Sequence, residues 1–205
     1  MLTRARRPEN GFSLIELMVT IALIGLLLAL GVPAFGKWTA DAHVRAAAES
    51  LTNAIRLTQS MAIAKSRVTM FALTAANPPA YNSTPSGTGS NWIGEINPLA
   101  GYDETASASM LLLKSTEGTQ HNVSISGPAL LCFSSVGRQT NLTSSQTSLG
   151  TACTVAASDT SPTATTYVVS NTNATRKFNV VVYLGGRVRM CDAAKTLSSS
   201  NPDGC

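Results

Sequence analysis

The chain has 205 residues, 44% of them hydrophobic, 13% charged and 5% aromatic, with a formal net charge of +4. That composition excludes a charge-rich disordered chain, and the length bounds the molecule to one domain of ordinary size plus appendages. Without residues 1–11 the chain carries 12 basic and 10 acidic residues, so any affinity for nucleic acid must rest on local rather than overall charge.

Arg4, Arg6 and Arg7 precede the string Gly11-Phe12-Ser13-Leu14-Ile15-Glu16-Leu17, and residues 17–36 contain no charge. Twenty helical residues rise about 30 Å, the thickness of a bilayer's hydrocarbon core. The expectation is a single membrane-spanning helix, with the arginines on the cytoplasmic side and everything C-terminal exported. A cleaved secretory signal is the alternative. It is weakened by the length of the run and by the lack of a small-x-small site before helical periodicity resumes at Asp41. Glu16 sits where a carboxylate is costly, which calls for a partner or a task; a snorkelling interfacial acid is the bland alternative.

Beyond Pro33 the residues Val44, Ala47, Ala48, Leu51, Ala54, Ile55 and Ala62 recur at three- and four-residue steps, opposite Arg45, Glu49, Asn53 and Gln59. One helix of about fifty residues should therefore run on to about Lys65, lipid-facing first and amphipathic second. The period then changes to two over residues 68–73, and 77–91 reads as a loop. Further strands are expected at 91–96, 109–114, 121–126, 129–134, 166–170, 177–184 and 187–190, with 140–165 an exposed Ser/Thr-rich loop. The fold class is thus α+β, a long N-terminal helix packed on a mostly antiparallel sheet domain. Its boundaries are 1–11 leader, 12–36 membrane half of the helix, 37–66 amphipathic half, and 67–205 exported β-rich domain with a C-terminal tail.

Cys132, Cys153, Cys191 and Cys205 all fall in the exported part, where disulfides persist, and four cysteines allow three pairings. Cys132 with Cys153 and Cys191 with Cys205 are preferred, because each closes a short Ser/Thr-rich loop poor in apolar residues. Zinc is the rival, but no CxxC spacing occurs and histidine is scarce. His43 and His121, on the helix and in a strand candidate, have no metal spacing and read as structural or solvated. No metal, cofactor or enzymatic activity is expected.

Near the C-terminus, Gly185-Gly186 suits a tight hairpin turn, and strand geometry then sends Arg187 and Arg189 to one face and Val188 and Met190 to the other. Two guanidiniums about 7 Å apart can meet neighbouring phosphates. Between residues 160 and 190 the charged residues are Arg176, Lys177, Arg187 and Arg189, with no acid among them. A solvated hairpin face without a ligand is the alternative.

The string at residues 11–17 resembles the class III signal of type IV pilins and type II secretion pseudopilins. The resemblance implies cleavage by a prepilin peptidase between Gly11 and Phe12, N-methylation of Phe12, and assembly through Glu16, paired with the Phe12 amine of a neighbouring subunit. It also puts Pro33 where helices of those families bend. Over nearly its full length the chain is similar to the FimT/GspH family, on Trp92 in its Gly-flanked strand, Cys132-Phe133-Ser134-Ser135-Val136-Gly137-Arg138, and Gly185-Gly186-Arg187-Val188-Arg189.

That family has a minor-pilin branch and a branch of type II secretion minor pseudopilin H. In the first, a GRxR pattern binds DNA, which Gly186, Arg187 and Arg189 match; Lys195, Arg138, Arg176 and Lys177 are expected to help. The expected function is then a minor pilin, in or at the tip of a pilus, that binds double-stranded DNA non-specifically and supports uptake in natural transformation. The alternative is the pseudopilin, a structural subunit without DNA binding. The implied partners are other major and minor pilins or pseudopilins, prepilin peptidase, double-stranded DNA and the inner membrane. The implied location is the inner membrane with a periplasmic domain, then the pilus or pseudopilus.

Overall fold

A computed structural model describes residues 12–99, 104–157 and 164–205, with the side chains of residues 30–34 and 120 outside the described set. Helix α1 (Leu14–Lys65) is capped by Ser13, whose hydroxyl accepts from the Glu16 amide, and ends at Ser66 in a left-handed conformation. It runs unbroken through Pro33. The leader and Gly11 lie outside the described residues.

Among the described residues nine strands form two antiparallel sheets. The first has the order β4 (Leu111–Ser115), β3 (Asn91–Ile96), β1 (Thr69–Thr74), β6 (Leu130–Phe133). The second has the order β2 (Thr88–Gly89), β5 (Ser124–Ser126), β7 (Thr165–Ser170), β8 (Phe178–Val182), β9 (Val188–Asp192). The amphipathic half of α1 lies across both. All seven apolar positions of its predicted stripe are buried, and they meet Phe71, Trp92, Phe133, Tyr167, Val180 and Val188 in one core. Each fully buried Leu, Ile or Val of that stripe contributes about 1.5–3 kcal/mol, which is what holds helix to sheet. Buried Thr58 belongs to the same face, its hydroxyl returned to the Ala54 carbonyl. The α+β architecture is as the hydrophobic periods imply.

Strand β1 is buried on both faces because the first sheet is covered twice. Phe71 and Leu73 face α1, whereas Met70 and Ala72 join Ile93, Leu130, Cys132 and Cys153 on the outer face. The cover there is the segment 139–156, most of it in the stretch 140–165 expected as an exposed loop. Its residues 141, 143–146, 150, 152 and 154 are exposed as expected, but Gln139, Thr147, Cys153 and Ala156 are buried, because Leu142 and Leu149 dock on the sheet. Residues 158–163 of that expected loop lie outside the described residues. On the outer face of the second sheet, Val181, Tyr183 and Cys191 are covered by Ala164 and by Cys205 of the tail. The preferred pairings, Cys132–Cys153 and Cys191–Cys205, are both formed, and each pins one cover.

Two local expectations are corrected. His121 is not in a strand: a one-turn helix α2 (Glu117–Gln120) precedes it, and β5 begins only at Ser124. Gly118 permits the close packing of that turn on the Ser90 carbonyl, with which a Cβ would collide. His121 then stacks on His43 of α1, ring centroids 4.1 Å apart. The second correction concerns the β8–β9 connection, which is one residue longer than a Gly-Gly turn. Gly186 donates to the Tyr183 carbonyl and Tyr183 to that of Arg187, a three-residue loop closed by Gly186 at φ +90°.

Candidate functional site

The β8–β9 hairpin is positioned by a three-way junction. Gln59 of α1 donates to the Gly137 carbonyl at 2.7 Å, and that carbonyl and Gln59 together occupy the space a Gly186 Cβ would need. Gln59, read from its period as facing away from the domain, is therefore half-buried here. Gln139 extends the dock, giving its backbone N–H to the Leu184 carbonyl and its side chain to that of Val182. These contacts bring the segment bearing Arg138 against the hairpin bearing Arg187. Arg56 reaches the same place from α1, donating to the Val188 carbonyl at 2.9 Å.

The alternation along the hairpin is as expected. Val188 and Met190 pack into the helix-side core, and Arg187 and Arg189 lie on the outer face. Their environments differ. Arg187 is exposed, its guanidinium 4.0 Å from the centroid of the Tyr183 ring, a cation–π contact that orients the charge without neutralising it. Arg189 is half-buried beneath the tail and donates to the carbonyls of Pro202 and Gly204 at 2.9 and 2.7 Å. It clamps the tail beside the Cys191–Cys205 bridge.

The remaining expected cations do not join this cluster. Lys195, expected close to the hairpin, lies beyond the end of β9 remote from the turn, and its carbonyl accepts from the Cys205 N–H of the tail that Arg189 clamps. It pairs with Asp203 at 2.6 Å. Arg176 pairs with buried Asp192 at 2.5 Å and lies 5.3 Å from the centroid of the Phe178 ring. Asp41 of α1 accepts from the backbone N–H groups of Thr175 and Arg176 and from the Thr175 hydroxyl, at 2.6–2.9 Å. That hydroxyl above all holds the Asp41 carboxyl below its ordinary value, as Arg176 does for Asp192 and Lys195 for Asp203. Lys177 is exposed.

Five of the seven expected residues thus divide between two ends of the domain. Gln59 marks one end and Asp41 the other, and eighteen helical residues separate them by about 27 Å. At the distal end are Gly186, Arg187 and Arg138; at the proximal end, nearest the apolar half of α1, are Arg176 and Lys177; Arg189 and Lys195 both hold the tail between them. The acids that compensate Arg176 and Lys195 come from residues 41, 192 and 203, outside the window in which local charge is +4. Among the described residues no group of three or more His, Cys, Asp or Glu is placed to hold a metal.

Among the described residues the N-terminal half of α1 has no packing partner. Phe12 is 81% exposed, and Leu14, Ile15, Leu17, Met18, Ile21, Leu27 and Leu28 are all exposed. Among the described residues no helix is long and apolar enough to cross a membrane, and the uncharged run 17–36 includes residues 30–34, whose side chains lie outside that set.

The family described as the prokaryotic N-terminal methylation motif matches residues 6–32, around the Gly11-Phe12 bond and Glu16. The N-terminal segment is similar to that of the proteins this motif describes. Relatives include a fimbrial protein of Neisseria meningitidis serogroup A, 37% identical over 83 residues, which are 40% of this chain and 42% of that protein. A type IV major pilin protein of Neisseria gonorrhoeae is 38% identical over 82 residues, 40% of this chain and 43% of its own. The chain therefore spans about two-fifths of the length of these curated relatives. Among solved structures, the type IV minor pilin FimU of Pseudomonas aeruginosa aligns with 77% of this chain and 95% of its own, at TM-score 0.47 and 14% identity.

No signal in the sequence sets Arg56 apart, since its partner is a carbonyl 132 positions away, and the capping role around Glu16 was also missing from the sequence reading. The second had a local signal: Ser13-x-x-Glu16 is the pattern of a helix N-terminal capping box.

Proposed function

We propose that the protein is a minor type IV pilin, held in the inner membrane by residues 12–36 with its head exported, cleaved between Gly11 and Phe12, methylated at Phe12, and assembled into a pilus through α1. It would act as a structural subunit rather than an enzyme. The observation that carries the reading is the coincidence of the methylation motif with an apolar half-helix that its own head leaves uncovered. Such a surface needs lipid, then neighbouring helices, as its solvent. Glu16 lies on it, and its role is to pair with a neighbour's Phe12 amine. Two variants test this. Glu16→Ala and Glu16→Gln should both be cleaved and both fail to enter sheared pili; normal incorporation of Glu16→Gln, which keeps the geometry and loses the charge, would sink the pairing role.

The finer reading is that the distal end of the head binds double-stranded DNA without sequence preference, in support of uptake. Exposed Arg187 and Arg138, with Arg56 and the half-engaged Arg189, supply its charge. A hairpin and a loop offer nothing shaped to read base edges, so phosphates are the contacts. With about two phosphates neutralised, log affinity should fall with log salt at a slope of about −2, and binding should be weak at physiological salt. Arg187→Gln/Arg138→Gln should abolish binding at low salt, whereas Lys177→Gln/Lys195→Gln should leave it intact. A reversed order of effects in a salt-series titration would refute the distal site.

A further inference from the structure

The proximal end of the head carries a second surface, whose argument rests on the membrane reading just given. We propose that in the inserted subunit this end is seated on the phospholipid headgroup layer, with Phe35 and Trp38 at the hydrocarbon boundary and Lys37 and Lys177 against lipid phosphates.

Depth is fixed by α1. If the hydrocarbon core ends at the last residue of the uncharged run, Gly36, then Asp41 lies five residues or about 7 Å further out. The headgroup layer of one leaflet is itself about 5–7 Å thick. Asp41 is not free of the head: its carboxylate accepts three hydrogen bonds from Thr175 and Arg176. The β7–β8 turn is thereby held at headgroup depth, so a head that is exported at all must rest there.

The chemistry of the surface agrees with its depth. Ala40 is the first buried residue among the described positions of α1, and just before it Phe35 and Trp38 are 64% and 66% exposed, ring centroids 5.5 Å apart. Aromatic rings with a neighbouring lysine are what the membrane–water boundary favours. Thr39 returns its hydroxyl to the carbonyls of Phe35 and Gly36, leaving no donor to seek bulk water. The described acids that contact this end are engaged: Asp41 by the turn, buried Asp192 by Arg176, and exposed Asp203 by Lys195. Lys37 and Lys177 are exposed and meet no carboxylate within ion-pair distance among the described residues. A cleft of about 260 Å³ opens beside Trp38, Asp41, Arg45, Arg176 and Phe178, among them sequence neighbours of both lysines, and is large enough to admit part of a headgroup. Neither lysine is needed for the fold, and together they place charge where anionic headgroups lie.

The test uses the full chain in vesicles of phosphatidylcholine and phosphatidylglycerol at about one chain per vesicle, with the same chain in detergent micelles as reference. A water-soluble amine-acylating reagent is applied and each lysine is read by mass spectrometry. Lys65 at the far end of α1 and Lys114 on β4, both exposed, are internal controls. Lys37 and Lys177 should both label several-fold more slowly in vesicles, with the controls unchanged. Lys37 reports insertion, together with co-flotation of protein and vesicles, and Lys177 reports seating. Protected Lys37 with freely labelled Lys177 overturns the seating and leaves insertion standing. No flotation and no protection of either overturns insertion, and the seating with it. Protection of Lys177 that emerges only at high protein density assigns the face to a neighbouring subunit and overturns the lipid assignment.

Discussion

Glu95 on β3 is a buried carboxylate with one oxygen taken by the Asn82 amide, at 2.7 Å, and the other without a partner. Burial raises its pKa, and it raises that of nearby Tyr81 in turn, after burial of the hydroxyl itself. An acid raised in the folded state lowers stability as pH climbs past the ordinary carboxylate value, because the unfolded chain ionises first. Asp41, Asp192 and Glu104 act in the opposite sense. The Thr175 hydroxyl, Arg176 and Arg67 respectively hold them below that value, so the stability they contribute is present above about pH 4 and is lost as pH falls through their folded values. Glu95→Gln keeps the acceptor for Asn82 and removes the buried ionisation. It should make the protein more stable than wild type at pH 7, with the difference vanishing toward pH 4; urea unfolding at the two pH values reads this directly. A variant less stable at pH 7 would mean that the charged form has a partner after all.

At the scale of elements, each disulfide fastens a cover to the outside of a sheet, but the two covers do unequal work. Loops of this size give about 3 kcal/mol apiece in the chain-entropy model, and sequence separations of 21 and 14 residues change that by only a few tenths. The 139–156 cover also seals Met70, Ala72, Ile93 and Leu130 from water, whereas the tail shields little beyond Val181 and Tyr183. Replacing Cys132 and Cys153 by Ala should therefore cost clearly more in denaturant unfolding than replacing Cys191 and Cys205. Equal losses would show that the covers are tethered but not packed.

How much of this was legible depends on the range of the interaction. The stripe from Val44 to Ala62 is written in a 3.6-residue period, and β1, β3 and β6 announce themselves by alternation or apolar runs. The pairing of Cys191 with Cys205 follows from proximity in sequence. The cover over β1 does not, since Leu142 and Leu149 sit in a Ser/Thr-rich stretch whose composition hides two anchors. Nor does the clamp of Asp41 on Arg176, made across 135 positions, which places Arg176 and Lys177 at the opposite end of the head from Arg187.

For the whole molecule, α1 acts as a ruler laid under the head. Its contacts with Arg176 at one end and with Gly137 and Val188 at the other fix what faces the apolar half and what faces away. Expected cations that look like one cluster in the sequence thus serve two directions. The same arrangement has a mechanical consequence. A pull along α1 does not peel the sheets off one row at a time: the apolar stripe, the Asp41 clamp and the Gln59 junction all lie along the line of force and must slide together. Load entering through the helix is then borne in shear by the entire contact, the geometry in which a joint of many weak bonds is strongest.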